Sequence, residues 1–150
     1  MPLPANPGTL LMLDSFGVPF YSARGLTQTL TPINAAGNLR RDINGALHDL
    51  SDVHFQKYSS KITCTDIRTL VPDNIWPGQQ IVVECVHELY YPSSGSPQRT
   101  PVSGSQRTEV SGSYTFIFYR PVITFLVTGV NAQTAEWTAD VQWEIDLEEV

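Results

Sequence analysis

Histidines and aspartates cluster in one part of the chain, where a metal ion is the first chemistry to consider. His48 and His54 are separated by five residues, and Asp49 and Asp52 lie between them. Zinc sites need three or four converging ligands, and this spacing matches no recognised zinc motif. The third histidine, His87, falls in an apolar run, where we expect a core or interface residue. The sequence therefore predicts no metal site and no cofactor.

Serine and cysteine side chains lack the surroundings that would make them nucleophiles. Ser103 and Ser105 flank Gly104 in a polar stretch and not in the strand-to-helix turn of a hydrolase elbow. Cys64 and Cys85 stand alone in the sequence, which favours small buried apolar residues. Carboxylates that alternate along one run are typical of solvated strand faces, whereas glycosidase acids flank a sugar cleft. We predict that the chain is not an enzyme.

Two adjacent tyrosines, Tyr90 and Tyr91, precede a polar stretch. Tyrosine offers a large contact area and a hydrogen bond at low entropic cost, so the pair could stack on a sugar or contact a protein. Packing on an edge strand is the simpler interpretation, because aromatic residues favour strands in any case. Both interpretations remain open at this point.

The elements that must position these residues are strands. Eleven prolines and ten glycines interrupt the chain so often that no long amphipathic helix fits between them. The 150 residues fit one domain, and 41% apolar residues can fill a core. Only 16% are charged, against about 25% in typical domains, which indicates that some surface faces protein. We predict a single all-β domain over residues 1–150, an antiparallel sandwich or barrel of about seven to nine strands.

Charge and hydropathy limit the partners. The formal net charge of −6 repels nucleic-acid phosphates and anionic membranes. No stretch approaches the roughly 18 apolar residues of a membrane span, and the first residues do not resemble a signal peptide. We expect a soluble chain made in the cytoplasm, with neither a membrane nor a specific nucleic-acid sequence as partner.

The best local turn signal is Asn44-Gly45, between residues 39–43 and 46–50. This dipeptide accepts positive φ at both central positions of a type I′ turn, so it predicts a two-residue hairpin. Residues 49–58 follow as the one place for a short helix. That helix would have Ser51 as its N-cap and would point three apolar side chains inward: Val53, Phe55 and Tyr58.

Further strands follow from alternation of apolar and polar residues. The final strand has one buried and one acidic face, with Val141, Trp143, Ile145 and Leu147 opposite Gln142, Glu144, Asp146 and Glu148. Residues 58–65 form a strand with Ile62 and Cys64 on one side. Residues 80–91 form one long strand whose core face contains Ile81, Val83, Cys85, His87 and Leu89. We predict strands at residues 114–119 and 122–128 on either side of Arg120-Pro121, as one bent strand or as two paired strands, and we expect Trp76 to pack against one end of the core.

Two segments have no core of their own. Residues 1–8 contain three prolines, which exclude them from a central sheet, so we expect an extended arm that docks on a neighbour through Leu3 and Pro4. Residues 92–112 are rich in Ser, Thr, Gly and Pro and predict a long exposed loop or hairpin tip. A loop of that length usually has a function, and here we expect subunit contacts.

The whole chain resembles the small structural proteins of tailed-phage particles. The features behind the resemblance are the Pro-rich start, the many short strands and three segments: Leu39-Arg40-Arg41-Asp42-Ile43-Asn44-Gly45, Tyr119-Arg120-Pro121 and Trp143-Glu144-Ile145-Asp146-Leu147-Glu148-Glu149-Val150. The likeness is one of general style and assigns no functional residue.

The resemblance implies a virion subunit that is made in the host cytoplasm and contacts copies of itself and other virion proteins. A tail tube, terminator or baseplate component would form a ring by joining sheet edges. A capsid decoration protein that clamps coat subunits is the alternative. A monomeric β-sandwich binding module, with Tyr90 and Tyr91 beside its ligand, is the rival from another class. The candidate subunit contacts are Leu3, Pro4, Tyr90, Tyr91, Glu144, Asp146 and Glu148.

Overall fold

The computed structural model describes residues 11–13, 22–33, 39–50, 52–69, 73, 75–138 and 140–150. The predicted arm at residues 1–8, with Leu3 and Pro4, and the predicted cap Ser51 lie outside these residues. The strands are β1 Met12–Leu13, β2 Thr27–Pro32, β3 Leu39–Arg41, β4 Leu47–Asp49, β5 Tyr58–Asp66, β6 Gln80–Glu84, β7 Leu89–Pro92, β8 Thr100–Pro101, β9 Arg107–Ser111, β10 Tyr114–Tyr119, β11 Pro121–Thr134 and β12 Val141–Glu149. A single turn of 3-10 helix covers Val53–Phe55. The prediction of an antiparallel all-β fold is confirmed.

The largest sheet has the order β1-β6-β11-β12-β5-β2, and β8 also pairs with β11. All its pairings are antiparallel. Because strand side chains alternate between faces, one face collects the apolar residues of every second position. This inner face forms the core: Leu11, Leu13, Ile62, Cys64, Ile75, Ile81, Val83, Cys85, Ile123, Phe125, Val127, Trp143, Ile145 and Leu147.

The large sheet curls until its two sides approach each other. Gln28 lies on β2, at one end of the strand order, yet its side-chain oxygen accepts a 2.6 Å hydrogen bond from the backbone N–H of Val86, just after β6. Its amide nitrogen donates to Ser60 Oγ at 3.1 Å. Gln28 therefore links the two sides of the curled sheet through both ends of its side-chain amide.

Two smaller sheets extend from this body. The first has the order β7-β10-β9, and the second is the β3–β4 hairpin. β10 continues into β11 through Arg120, so consecutive strands belong to different sheets. Pro121 begins β11, a position where a missing N–H is tolerated. The predicted break at Arg120-Pro121 is confirmed as this passage between sheets.

The predicted hairpin is confirmed, but its turn is wider than expected. Arg41 pairs with Leu47, which leaves residues 42–46 in the loop. The Gly45 N–H donates to the Asp42 carbonyl, so Ile43 and Asn44 are the central residues, and Gly45 follows with φ of 83°. A turn of this shape needs a glycine after its central pair, which explains the Asn-Gly sequence without a type I′ turn.

Residues 80–91 do not form one strand. Pairing stops at Glu84, the chain bends at residues 86–87, and β7 then joins the smaller sheet. Ile81, Val83 and Cys85 are buried as predicted, whereas His87 is exposed. The apolar alternation continued across the bend, so periodicity alone did not show that the chain changes sheets.

Two other predicted inward-facing groups are wrong. Trp76 is 68% exposed, and its neighbour Ile75 enters the core instead. Val53 and Phe55 are 73% and 60% exposed, and the short helix is capped by Asp52, whose carboxylate accepts from the His54 N–H. Loop residues of this kind have no period that would show which side chain faces the core.

The expected loop at residues 92–112 contains regular structure. It includes β8 and β9, and Val102 is buried with its N–H bonded to the Arg120 carbonyl at 2.8 Å. β9 forms a hairpin with β10 around Gly112, whose φ is 63°. Backbone pairing to a neighbouring strand orders this polar sequence, although it has few large apolar residues.

Candidate functional site

The predicted contact residues that the structure describes lie in two separate places. Tyr90 and Tyr91 are on β7, in the three-stranded sheet. Glu144, Asp146 and Glu148 are on β12, in the large sheet. The structure therefore does not bring the predicted contacts together into one surface.

The resemblance to phage structural proteins led us to expect the acidic strand at a sheet edge. That expectation is wrong, because β12 is not an edge strand. It lies between β11 and β5 and is paired on both sides. Lys61 Nζ lies 2.9 Å from Glu144 Oε1 and 4.0 Å from Asp146 Oδ1. The Glu144 carboxylate raises the pKa of Lys61 by hydrogen bonding to its charged form. These acids form part of a charged outer sheet face and have no open backbone edge to offer a neighbour.

An exposed aromatic surface covers one face of the three-stranded sheet. Successive outward positions of β10 carry Tyr114, Phe116 and Phe118, and Tyr90 lies opposite Phe118 on β7. Tyr90 is 5.4 Å from the Phe118 ring and 5.7 Å from the Phe116 ring between centroids, and Tyr114 is 6.5 Å from Phe116. Tyr90 and Tyr114 are 64% and 70% exposed. We call these four residues the aromatic face.

Arg107 lies at one side of the aromatic face. Its guanidinium lies 4.4 Å from the centre of the Phe118 ring and 2.7 Å from Glu88 Oε2, and it also pairs with Glu109. The hydrogen bond from Arg107 lowers the pKa of Glu88. The two carboxylates and the ring satisfy this cation, so the surface offers aromatic area more than free charge.

Tyr91 belongs to the opposite face of the same sheet. It is half-buried, and its ring centroid is 5.7 Å from that of Tyr119. Adjacent residues of a strand point to opposite faces, so the two tyrosines cannot act as one stacking pair. The structure favours packing for Tyr91 and leaves Tyr90 available for contact.

The β3–β4 hairpin and the short helix after it form a second exposed surface. Every described residue from 39 to 56 is exposed. Six apolar side chains in this stretch are 54% to 101% exposed: Leu39, Ile43, Leu47, Leu50, Val53 and Phe55. We call residues 39–50 and 52–56 the hairpin region. The sequence predicted the hairpin but not its exposure. A local pattern does not show whether a hairpin pairs with the strands of the main sheet.

A groove of about 350 Å³ separates the hairpin region from the body of the molecule. Its lining includes Ile33, Leu39, Phe55, Tyr58 and Arg99. The lining also contains five further polar or charged residues, so the groove is of mixed character: Asp49, Asp52, Gln56, Lys57 and Gln98. It contains neither a cysteine nor a serine that could serve as a nucleophile.

An ion pair between Arg99 and Glu149 was not predicted from the sequence. Arg99 Nε and NH2 donate to the two oxygens of Glu149 at 2.8 and 3.0 Å, and the Tyr58 N–H donates to Glu149 Oε2 at 2.9 Å. The Glu149 side chain is only 8% exposed. Arg99 therefore fixes residues 92–112 to the end of β12. No short-range pattern links two residues fifty positions apart.

The cysteine and histidine side chains differ in their surroundings. Burial raises the pKa of Cys85 to about 11 and also raises the pKa of Cys64, so both thiols remain protonated and unreactive near neutrality. His48 and His54 each contact a single carboxylate, of Asp42 and Asp52 respectively. In the part of the chain that the structure describes, no group of three or more potential ligands is placed to hold a metal ion.

None of the helical structure in the described ranges is long and apolar enough to cross a membrane. Comparison of the chain with protein-family models, with curated proteins and with solved structures found no match in any of the three.

Proposed function

We propose that the chain is a non-enzymatic structural subunit that assembles with copies of itself and with other proteins of a phage particle, most simply as a ring-forming tail component. The phage setting rests on the resemblance in sequence style. The case for assembly rests on surfaces of the folded chain.

The observation that carries the proposal is the exposure of the hairpin region. A two-stranded hairpin is at best marginally stable alone in water and normally packs on further structure. Here β3 and β4 pair only with each other among the described strands, and six apolar side chains around them face solvent. Covering those side chains removes apolar surface from water, at about 25 cal/mol per Å². A neighbouring subunit would supply that cover.

Local hydrogen bonds hold the turn of the hairpin region in shape. The Asp42 carboxylate accepts hydrogen bonds from the N–H groups of Asn44 and Ala46, both at 2.9 Å, and lies 3.0 Å from His48 Nε2. Arg41 donates to the Gly45 carbonyl at 2.8 Å. These local bonds hold the turn in shape without the body, so a partner would meet a preformed element and bind it at a lower entropic cost.

The edge strand β2 provides a second candidate contact, and its Gln28 already bonds across the sheet to Val86. β2 ends the strand order of the large sheet within the described residues, and its sequence Thr27–Pro32 contains no charged side chain. Natural edge strands are usually protected by charges, bulges or prolines, and here only Pro32 at the end serves. A copy of the chain brings both a hairpin and an edge. A contact between unlike surfaces of identical copies closes into a ring when the rotation allows.

Substitution of Ile43 by serine tests this proposal. Ile43 is 101% exposed at the hairpin tip, so the change should leave the free energy of unfolding of the monomer within about 0.5 kcal/mol. If the tip is buried between subunits, the dissociation constant should rise about tenfold or more, because burial of an isoleucine contributes at least about 1.5 kcal/mol. Sedimentation velocity at a series of concentrations measures both species.

The matched control is Ile67→Ser, which removes an isoleucine that is 48% exposed away from the hairpin. Its dissociation constant should match that of the unmodified chain. Equal association of both variants would contradict a hairpin interface. Electron microscopy of the assembled protein would separate the two phage roles, since rings with an open channel favour a tail component and compact clusters favour capsid decoration.

A monomeric binding module is the second candidate, because the aromatic face offers Tyr90 and Tyr114 to solvent. Size-exclusion chromatography with mass measurement separates this candidate from the first. A stable monomer at all accessible concentrations would favour the module and contradict the structural subunit.

A further inference from the structure

We propose that the aromatic face is the docking surface for residues 1–8 of a neighbouring copy of the chain. The inference rests on the proposed function, because it names one surface by which two subunits join.

The spacing of the rings suits a proline-rich segment. Tyr114, Phe116 and Phe118 follow each other at every second position of β10 and so extend over about 13 Å. Pro4 and Pro7 are three residues apart. In a polyproline II helix, which has three residues per turn and rises about 3.1 Å per residue, they project from the same side about 9 Å apart. Both rings of such a segment can rest on the row of aromatic side chains.

This mode of recognition needs little ordering of the ligand. Proline fixes its own φ, so a segment with three prolines loses less conformational entropy on docking than an ordinary segment. Aromatic grooves that bind polyproline segments use this property. Tethering within an assembly adds the advantage of a high local concentration, which makes a weak contact effective.

Charge also matches. Residues 1–8 contain no charged side chain. On the aromatic face, Arg107 is already paired with Glu88 and Glu109 and lies over the Phe118 ring. An occupant that brought its own charge would have to compete with those pairs. A segment without charged side chains leaves them intact while it covers Tyr90 and Tyr114.

The course of the chain brings the segment to the correct side of the molecule. β1 runs antiparallel to β6, with Met12 opposite Glu84. Leu11, where the description begins, therefore lies at the end of β6 from which the chain continues to β7 and Tyr90. Ten preceding residues can span up to about 35 Å, enough to reach a neighbouring subunit. Tyr90 and Tyr114 are largely exposed. Because the proposed function requires contacts between copies of the chain, we assign the occupant to a neighbour.

Disulfide trapping in the full-length chain tests the proposal. The test variant carries Leu3→Cys and Tyr114→Cys, and the control carries Leu3→Cys and Val110→Cys. Val110 is 71% exposed and pairs with Thr115, so it lies on the opposite face of the same sheet from Tyr114. The native cysteines, Cys64 and Cys85, are buried and should not compete.

After mild oxidation at concentrations that allow assembly, we expect disulfide-linked multimers from the test variant at about five times the yield of the control or more, since a disulfide needs Cα atoms within about 7 Å. Equal yields from the two variants would overturn the docking site. Cross-linking only within monomers would place the segment on its own chain and overturn the exchange between neighbours.

A second measurement does not depend on added cysteines. Deletion of residues 1–8 and the substitution Tyr114→Ser should each weaken assembly, and the combined variant should be no weaker than either alone, because both changes remove one contact. Fully additive effects would overturn the proposal. If only the deletion weakens assembly, the aromatic face is wrong while the structural role stands. If the unmodified chain never assembles, both fail together.

Discussion

At the scale of single residues, Trp143 shows most directly how this sequence specifies its core. The indole is 2% exposed, and its Nε1–H donates to the Ser22 carbonyl at 2.7 Å. The side chain therefore fills core volume and also satisfies a buried backbone acceptor. It joins the central strand β12 to the segment that leads into β2.

We expect Trp143→Ala to lower the free energy of unfolding by about 3 to 5 kcal/mol, through lost burial and the cavity left behind. The control is Trp137→Ala, because Trp137 is 92% exposed and its loss should change stability by less than about 0.5 kcal/mol. Urea unfolding followed by circular dichroism measures both values. A small effect at Trp143 would contradict the register of β12.

Trp143 and Trp76 together show where prediction from the sequence succeeds and where it fails. Trp143 lies in a strict alternation, and that period of two predicts its burial correctly. Trp76 lies in a loop between prolines, where no period exists, and its predicted burial is wrong. Only the side chains of regular elements could be assigned a direction from sequence alone.

At the scale of elements, the bidentate pair between Arg99 and Glu149 determines how residues 92–112 lie on the body. Arg99 is 18% exposed at its side chain and also donates to the Gln56 carbonyl at 2.9 Å. The pair thus connects three elements: the end of β12, the approach to β5 and the chain before β8.

We expect Arg99→Met to destabilise the fold by about 3 kcal/mol or more, because it leaves the Glu149 carboxylate nearly buried without its partner. The double variant Arg99→Met with Glu149→Leu should recover much of that loss, since no isolated charge remains. Chemical denaturation of the single and double variants provides the measurement.

Arg107→Met is the matched control for Arg99→Met. Its ion pairs are on the surface, with the Arg107 side chain 46% exposed, so the loss should be below about 1 kcal/mol. Equal losses at Arg99 and Arg107 would show that burial does not distinguish the two pairs.

The elements themselves were partly predictable. Strands β5 and β12 and the β3–β4 hairpin follow from alternation and turn residues. Their order in the sheet does not, because a period of two shows which face is buried but not which strand is the neighbour. For that reason Glu144 and Asp146 were expected at an edge and are central, and Glu149 was not recognised as the partner of Arg99.

At the scale of the whole molecule, we expect the free energy of unfolding to fall in acid, because the fold lowers the pKa of several carboxylates. Hydrogen bonds from Arg24 lower the pKa of Asp66 from 3.8 to about 2, and the Asp66 side chain is only 2% exposed. Asp42, Asp52 and Glu88 are shifted in the same direction. In the unfolded chain these groups take up protons at higher pH than in the native fold.

Since the folded pKa of Asp66 is lower than the unfolded value, its contribution to stability is complete above about pH 4 and is lost as the pH falls towards 2. We expect Asp66→Asn to reduce stability at pH 7 by about 1 to 3 kcal/mol and to make the decline in acid shallower. Urea unfolding at several pH values tests this expectation. A variant whose acid decline is as steep as that of the unmodified chain would show that Asp66 does not carry it.

The candidate surfaces were the least predictable feature at this scale. Tyr90 was predicted as a contact residue, and that stays a prediction. Phe116 and Phe118 complete the aromatic face only because β10 pairs with β7. The hairpin region is likewise exposed because no other described strand pairs with it. Both surfaces depend on how the whole chain folds, so neither can be predicted from a local stretch of sequence.

The direct passage from β10 to β11 has a mechanical consequence. Only Arg120 separates the strand at the centre of the small sheet from the long strand β11, which pairs with both β6 and β12. Antiparallel hydrogen bonds lie across the strand direction, so tension along β11 shears many of them at once instead of peeling them one by one. A pull exerted on the three-stranded sheet therefore reaches the large sheet as a shear load, the geometry in which a sheet resists force best.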